Sequence, residues 1–279
     1  MSLVKMVFAD MDGTFVATDK SVPPQNMELL DVLASRDIGF VPCTGRPVSA
    51  VPQQILDHEA TRYAVGSNGS VVYDNRAKAP IHVVGMNKKA VLDLYEAVKG
   101  LNVTFDVFAD GEVYAERTRY DAMGSYGIDG PTLSMLRRVR KPVDKNVAEL
   151  VERARAVEKI TCFWSRECDR RCLELAIDRI GGFSSAHGHP KNFELQAEGV
   201  SKGFALVWLC KHTGVNPADV VAFGDEANDV SLLVAAGDGV AMANAIPQAR
   251  AVANHTAPSN DDAGVASYVM ALLGGADHK

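Results

Sequence analysis

Three short apolar runs in this chain each break off at a residue able to do chemistry: residues 4–9 at Asp10, residues 39–43 at Thr44, and residues 220–223 at Gly224-Asp225. A nearly continuous apolar run offers no face to water, so it reads as a strand covered on both sides, as in a parallel sheet flanked by helices. The intervening text agrees. Residues 24–36 place Met27, Leu30, Leu33 and Ala34 at helical spacing, and residues 47–56 place Val48, Val51 and Ile55 on one helical side. Strands at 63–65 and 70–73 flank Asn68-Gly69, a tight-turn pair. After residue 200 the same alternation returns, with helices at 201–212, 228–236 and 246–253 and strands at 220–223 and 239–242.

The middle of the chain has a different grammar. An amphipathic helix at 88–99 precedes strands at 103–108 and 112–116 around Asp110-Gly111, a second hairpin signal. An arginine-containing polar stretch runs to Arg140, followed by helices at 147–156 and 170–180 and strands at 159–164 and 183–187. Hairpins mixed with helices describe an α+β unit with an antiparallel sheet. The expected architecture is therefore an α/β domain with a parallel sheet (1–84 and 191–279), interrupted by an inserted α+β domain (85–190). A chain of 279 residues with 47% apolar content has the size and the core for two domains. Its net charge of -6 gives no bulk attraction to nucleic acid or to an anionic membrane, and neither partner is expected. The opening apolar run meets two aspartates too early for a secretory signal or a membrane span. Five cysteines without zinc-like spacing read as reduced thiols in a cytoplasmic protein, with Cys168 and Cys172 half-buried on one helix. The expected state is a monomer or weak homodimer.

Open parallel sheets bind ligands beyond the carboxyl ends of their strands, and four polar clusters lie there. They are Asp10-Met11-Asp12-Gly13-Thr14, Thr44-Gly45-Arg46, Ser201-Lys202-Gly203 and Gly224-Asp225-Glu226-Ala227-Asn228-Asp229. Singly, each has a bland reading: Asp-x-Asp-Gly as a turn, Thr44 as a helix cap, Lys202 as a solvated residue, Asp225 as an acid near a helix start. Jointly, two acidic clusters at the ends of two buried strands repel unless a cation joins them, and a hard, all-oxygen site fits Mg²⁺.

These clusters, in this order, resemble the four motifs of the haloacid dehalogenase superfamily. Gly66-Ser67-Asn68-Gly69, Glu194-Leu195 ahead of Gly-Val-Ser-Lys-Gly, Val-Ala-Met-Ala-Asn-Ala at 240–245 and Ser259-Asn260-Asp261-Asp262 narrow the likeness to the Cof-type subfamily. Ala243 stands where glycine is more usual. The resemblance implies a Rossmann-like core with a large cap inserted between the second and third motifs, and a Mg²⁺-dependent phosphatase of a small phosphorylated metabolite, foremost a sugar phosphate. It implies Asp10 as nucleophile and Asp12 as general acid and base. Thr44, Gly45, Lys202 and Asn228 would bind phosphate. Asp10, Asp225 and the Asp12 main-chain carbonyl would bind the metal, supported by Asp229 and Glu226. Arg46 and Asn68 are substrate candidates near the core site, and Arg117, Arg119, His187 and His189 are candidates in the cap. A phosphosugar mutase or a non-catalytic metal-binding protein on the same fold are the alternatives.

Overall fold

A computed structural model describes residues 4–128, 130–144 and 146–274. The strands, in chain order, are β1 (Met6–Ala9), β2 (Gly39–Pro42), β3 (Tyr63–Gly66), β4 (Val71–Asp74), β5 (Ala79–Val83), β6 (Asp106–Ala109), β7 (Glu112–Glu116), β8 (Arg140–Val143), β9 (Val157–Phe163), β10 (Phe183–Ala186), β11 (Asn192–Ala197), β12 (Val220–Gly224), β13 (Asp238–Met242) and β14 (His255–Ala257). The chain divides into two compact units, Met1–His82 with Ser201–Lys279, and Val83–Val200. No helix among the described residues is long and apolar enough to cross a membrane.

In the first unit a five-stranded sheet runs β14-β13-β12-β1-β2, parallel throughout. The apolar runs are its central strands, and their alternate side chains serve two cores. From β1, Val7 and Ala9 join Leu29, Leu30 and Leu33 of the helix Pro24–Ser35, while Met6 and Phe8 join Ala205, Leu206 and Leu209 of the helix Lys202–Thr213. Burial on both faces is why these runs carry no polar alternation. Each large side chain buried this way contributes roughly 1.5–3 kcal/mol. The register Ala9↔Phe223 and Ala9↔Pro42 brings the carboxyl ends of β12, β1 and β2 level, so Asp10, Asp225 and Thr44 emerge on one edge.

The second unit carries a six-stranded sheet, β10-β11-β9-β6-β7-β8, antiparallel except where β7 meets β8. One of its faces buries Val107, Ile160, Cys162 and Leu195 against the helices Lys88–Val98, Val147–Arg153 and Glu167–Ile180. The unit ends at Val200, ten residues beyond the division at 190 read from sequence. The reason is β11, which pairs with β9 and β10 and turns Phe193 and Leu195 into the same core.

Other local readings also change. Residues 47–56 are not one helix. A 3-10 turn at Val48–Ala50 and a short helix at Gln53–Leu56 are separated at Val51, whose extended backbone (φ -70°, ψ 139°) is what a following proline imposes. Within the arginine-containing stretch the described residues form helices at Arg117–Asp121 and Gly130–Val139, and Met123, Tyr126, Ile128 and Leu136 pack with Phe163 in a satellite core. Four apolar residues at irregular spacing gave no periodic signal. Cys168 and Cys172 are exposed, not half-buried.

Candidate active site

Asp10 begins where β1 stops. Its backbone N–H donates to Phe223 O at 3.1 Å and its carbonyl accepts from Phe15 N at 3.1 Å, so the main chain is held on both sides of the side chain. The Asp10 carboxylate is buried and accepts a hydrogen bond from Lys202 Nζ at 2.6 Å. Lys202 stands at the first turn of the helix Lys202–Thr213, whose start is capped by the Ser201 hydroxyl accepting from Phe204 N. The same ammonium donates to Asp229 Oδ1 at 2.6 Å. Asp229 Oδ2 takes the backbone N–H groups of Asp225 and Glu226, both at 3.0 Å, and Glu226 and Asp229 form a capping box over the turn Ala227–Asp229. Asp229 is thus the hub that fixes the loop after β12, a more direct role than support from behind.

Asp225 is buried beside this pair. Its Oδ1 accepts from Thr14 Oγ1 at 2.8 Å. Gly13 has φ +78°, and a Cβ there would land on the Asp225 carboxylate, so the Asp-Gly turn must be bare to let the two loops touch. Carboxylate oxygens of Asp10, Asp225 and Asp229 all lie within 4.8 Å of one another. Three buried carboxylates therefore face one ammonium. Burial, and then the neighbouring negative charges, push Asp225 well above the carboxylate range. Burial likewise pushes Asp10 up although Lys202 pulls the other way. Burial opposes the Lys202 charge, but Asp10 and Asp229 outweigh it and the ammonium is held charged. The cluster is short of positive charge, and its donors are hard oxygens. That composition fits a divalent cation such as Mg²⁺, with Asp10 and Asp225 as the residues to hold it, since both oxygens of Asp229 are already engaged.

Asp12 faces another way. Its Oδ1 accepts from Lys20 Nζ at 2.9 Å and from the Arg46 guanidinium. Burial pushes its carboxyl up, but Arg46 and Lys20 outweigh burial and hold it below the usual range. Arg46, a substrate candidate by sequence, is in this structure the partner of Asp12.

Thr44 leaves the end of β2 buried. Its N–H donates to Val65 O at 2.9 Å and its hydroxyl accepts from Arg46 N at 3.2 Å. The loop through Gly45 is pinned by Asn68 N to Thr44 O at 3.1 Å and Ser67 N to Arg46 O at 2.8 Å. Asn68 Oδ1 accepts from Asn228 Nδ2 at 3.2 Å, which joins two of the predicted residues across 160 positions. Gly69, at φ +99°, lies so close to Ser201 that a Cβ would overlap its carbonyl oxygen. The 67–69 turn and the start of the Lys202 helix are therefore in main-chain contact.

Sequence reasoning assigned no role to Thr14, Lys20 or Asn244. Thr14 lies inside a motif and had a visible signal. Asn244 donates to Gly13 O at 2.8 Å, and its own Oδ1 accepts from Asn260 N, which ties the segments at 240–245 and 259–262 to the site loop. Lys20 lies in an ordinary polar turn with nothing to mark it. The four candidates in the second unit are engaged within it. Arg117 pairs with Asp144, and Arg119 donates to Glu116 and to main-chain carbonyls. His187 bonds Asn192 O, and His189 accepts from Lys191 N.

The model of the haloacid dehalogenase-like hydrolase family matches residues 7–269. The chain is 25% identical over 275 residues to a putative phosphatase, YxeH, of Bacillus subtilis, covering 97% of this chain and 99% of that protein. It is 26% identical to the pyridoxal phosphate phosphatase YbhA of Escherichia coli, covering 96% and 98%. Its fold is that of BT1666 from Bacteroides thetaiotaomicron, studied among phosphatases of the same superfamily, with a TM-score of 0.80 at 22% identity, covering 96% and 94% of the two chains. The chain belongs to the haloacid dehalogenase-like hydrolases, in keeping with the Cof-type signature of its motifs.

Proposed function

We propose that this enzyme hydrolyses phosphomonoesters of small metabolites, sugar phosphates first among them, by way of a phosphoryl group carried on Asp10. The observation that supports this above the others is the buried convergence of Asp10, Asp225, Asp229 and Lys202 at the carboxyl edge of the parallel sheet. A phosphate dianion resists a nucleophile of like charge, so positioning and charge neutralisation are the main catalytic needs. Asp10, Asp225 and the Asp12 main-chain carbonyl are the groups that would hold Mg²⁺, which would supply charge neutralisation for the attack.

The chain's own residues do the rest. A carboxylate oxygen of Asp10 attacks phosphorus as the bond to the leaving oxygen breaks, and Asp12 delivers the proton that the leaving alkoxide takes up. Asp12 then removes a proton from water, which attacks the phosphorus of the aspartyl-phosphate and restores the Asp10 carboxylate with release of inorganic phosphate. Lys202 neutralises Asp10 and the incoming oxygens, and Thr44, Gly45 and Asn228 donate to the phosphoryl group. With Lys20 and Arg46 both upon it, Asp12 is ionised as its base role requires. Its acid role requires that a cation contact be given up.

Phosphate release from a panel of phosphorylated metabolites with Mg²⁺ tests the reading, with Asp10→Asn as blank. Turnover is expected from wild type and none from Asp10→Asn; equal release from both refutes it. Asp12→Asn is expected to slow turnover by roughly 10²–10⁴-fold with Mg²⁺ affinity kept, and a large loss of metal affinity refutes the main-chain ligand.

A further inference from the structure

Lys20 has an unusual backbone for its residue type. It sits at φ +73°, the left-handed region that a side chain with a Cβ enters at a cost. The turn that holds it there is heavily bonded. Lys20 N donates to Ala17 O at 2.9 Å and Ala17 N to Ser21 O at 2.9 Å. The Asp19 carboxylate takes Ser21 N and its hydroxyl. Thr18 donates through its N–H and its hydroxyl to the two oxygens of Asp261, at 2.8 and 2.9 Å. Asn260 reaches Val16 O at 3.1 Å. Strain kept in place by so many bonds is a pointer to function. What the strain accomplishes is to aim Nζ at Asp12.

Arg46 arrives at the same carboxylate from the end of β2, 34 positions away in sequence. Its Nε is buried and has no hydrogen-bond partner among the described residues, an unmet donor in a fork built for paired oxygens. Two cations thus attend one carboxylate oxygen, and Lys20, Arg46 and Asp12 are each only partly buried, with side chains 35%, 19% and 33% exposed. A single carboxylate needs one cation. The second positive charge, and the unmet Nε donor, have no counterpart among the described residues. Both lie beside the residue that protonates the leaving oxygen, and therefore beside the leaving group.

We infer that Lys20 and Arg46 form an anion subsite, and that the preferred substrate is a phosphomonoester whose leaving group carries a second anion, a phosphate or a carboxylate. This rests on the phosphatase reading and narrows its substrate class. A neutral polyol leaving group makes no use of two cations, whereas a hexose bisphosphate or a phosphorylated sugar acid places a phosphate or carboxylate against them. Charge-assisted bonds of this kind are worth about tenfold or more each in affinity.

The test compares a hexose 1,6-bisphosphate and a phosphorylated sugar acid with hexose 6-phosphate, in the full-length enzyme with Mg²⁺. Two readouts are used: kcat/KM for wild type and Lys20→Met, and calorimetric binding to Asp10→Asn, which needs no turnover. The expected result is that one of the doubly anionic ligands is favoured over the monophosphate by about tenfold or more, and that Lys20→Met erases most of that ratio. Whichever of the two is favoured identifies the second anion. A ratio near one in wild type overturns the inference and leaves the phosphatase reading standing. An equal loss on all substrates in Lys20→Met also overturns it, because that is the mark of a residue that only positions Asp12. Tight binding to Asp10→Asn of all three ligands alike counts against it in the same way. Binding of doubly anionic ligands without phosphate release by wild type supports the subsite and refutes the hydrolysis.

Discussion

Replacing Lys202 by methionine keeps the length and the apolar stem of the side chain and deletes its charge. The wild-type ammonium is fully buried and bridges Asp10 and Asp229 at 2.6 Å each. Without it, two carboxylates that share no other cation among the described residues face each other, with Asp225 within 4.8 Å. Removing one partner of a buried ion pair costs about 3–5 kcal/mol. Asp229 keeps its two backbone donors, so the orphaned charge is chiefly that of Asp10. For a protein of this size roughly 2–4 °C of melting temperature accompanies each kcal/mol, which places the loss at about 6–20 °C. The sign with pH follows from the direction of the Asp10 shift. A carboxyl whose pKa is raised on folding is no burden while protonated, and destabilises the fold as pH rises through the folded value. Lys202→Met removes the main force opposing that rise. The assay is thermal unfolding of wild type and Lys202→Met without divalent cations at pH 8 and pH 5.5. The loss should be large at pH 8 and should shrink at pH 5.5. A loss below about 1 kcal/mol at pH 8, far under the buried-pair range, or a larger loss at the lower pH, would refute the reasoning.

Other outcomes follow from the same geometry. Because Asp10 and Asp225 are both raised by burial and repulsion, Mg²⁺ must compete with protons; its stabilisation of wild type in a melting assay should be larger at pH 8 than at pH 5.5, and an effect independent of pH would place the cation elsewhere. Gly69→Ala forces a Cβ into Ser201 O at φ +99°, so a destabilisation of about 1–3 kcal/mol by denaturant unfolding is expected, with reduced turnover because the Lys202 helix must shift; unchanged stability and activity would contradict the main-chain contact.

The residues legible in sequence were those whose neighbours make a local pattern. β1, β2 and β12 announced themselves because a strand buried on both faces has no polar alternation, and the acidic residues at their ends followed from where such strands stop. β11 went unread as part of the second sheet because Phe193 and Leu195 alternate with Asn192, Glu194 and Gln196 that are also buried, so its pattern resembles a strand with one wet face and names no partner. The ordered helices between 117 and 139 were hidden for a related reason: their packing rests on four scattered apolar residues and on Arg119, whose guanidinium ties Glu116 to main-chain carbonyls.

Short-range stereochemistry settles within a few residues, and to that extent the amino-acid order alone determined the buried central strands β1, β2 and β12, the turns at Asn68-Gly69 and Asp110-Gly111, and the list of acids and bases presented at one sheet edge. Tertiary structure alone decided which charges meet. Lys202 and Asp10 are 192 positions apart, Asp12 and Arg46 are 34, and nothing in either neighbourhood states the pairing. Lys20 is the sharpest case. In sequence it is one lysine in a polar turn, and the folding of Thr18 onto Asp261, 243 positions away, and of Asn260 onto Val16 helps hold that turn where its ammonium reaches Asp12. Electrostatic interactions act through space, so the partner of a charge is known only when the chain has closed around it.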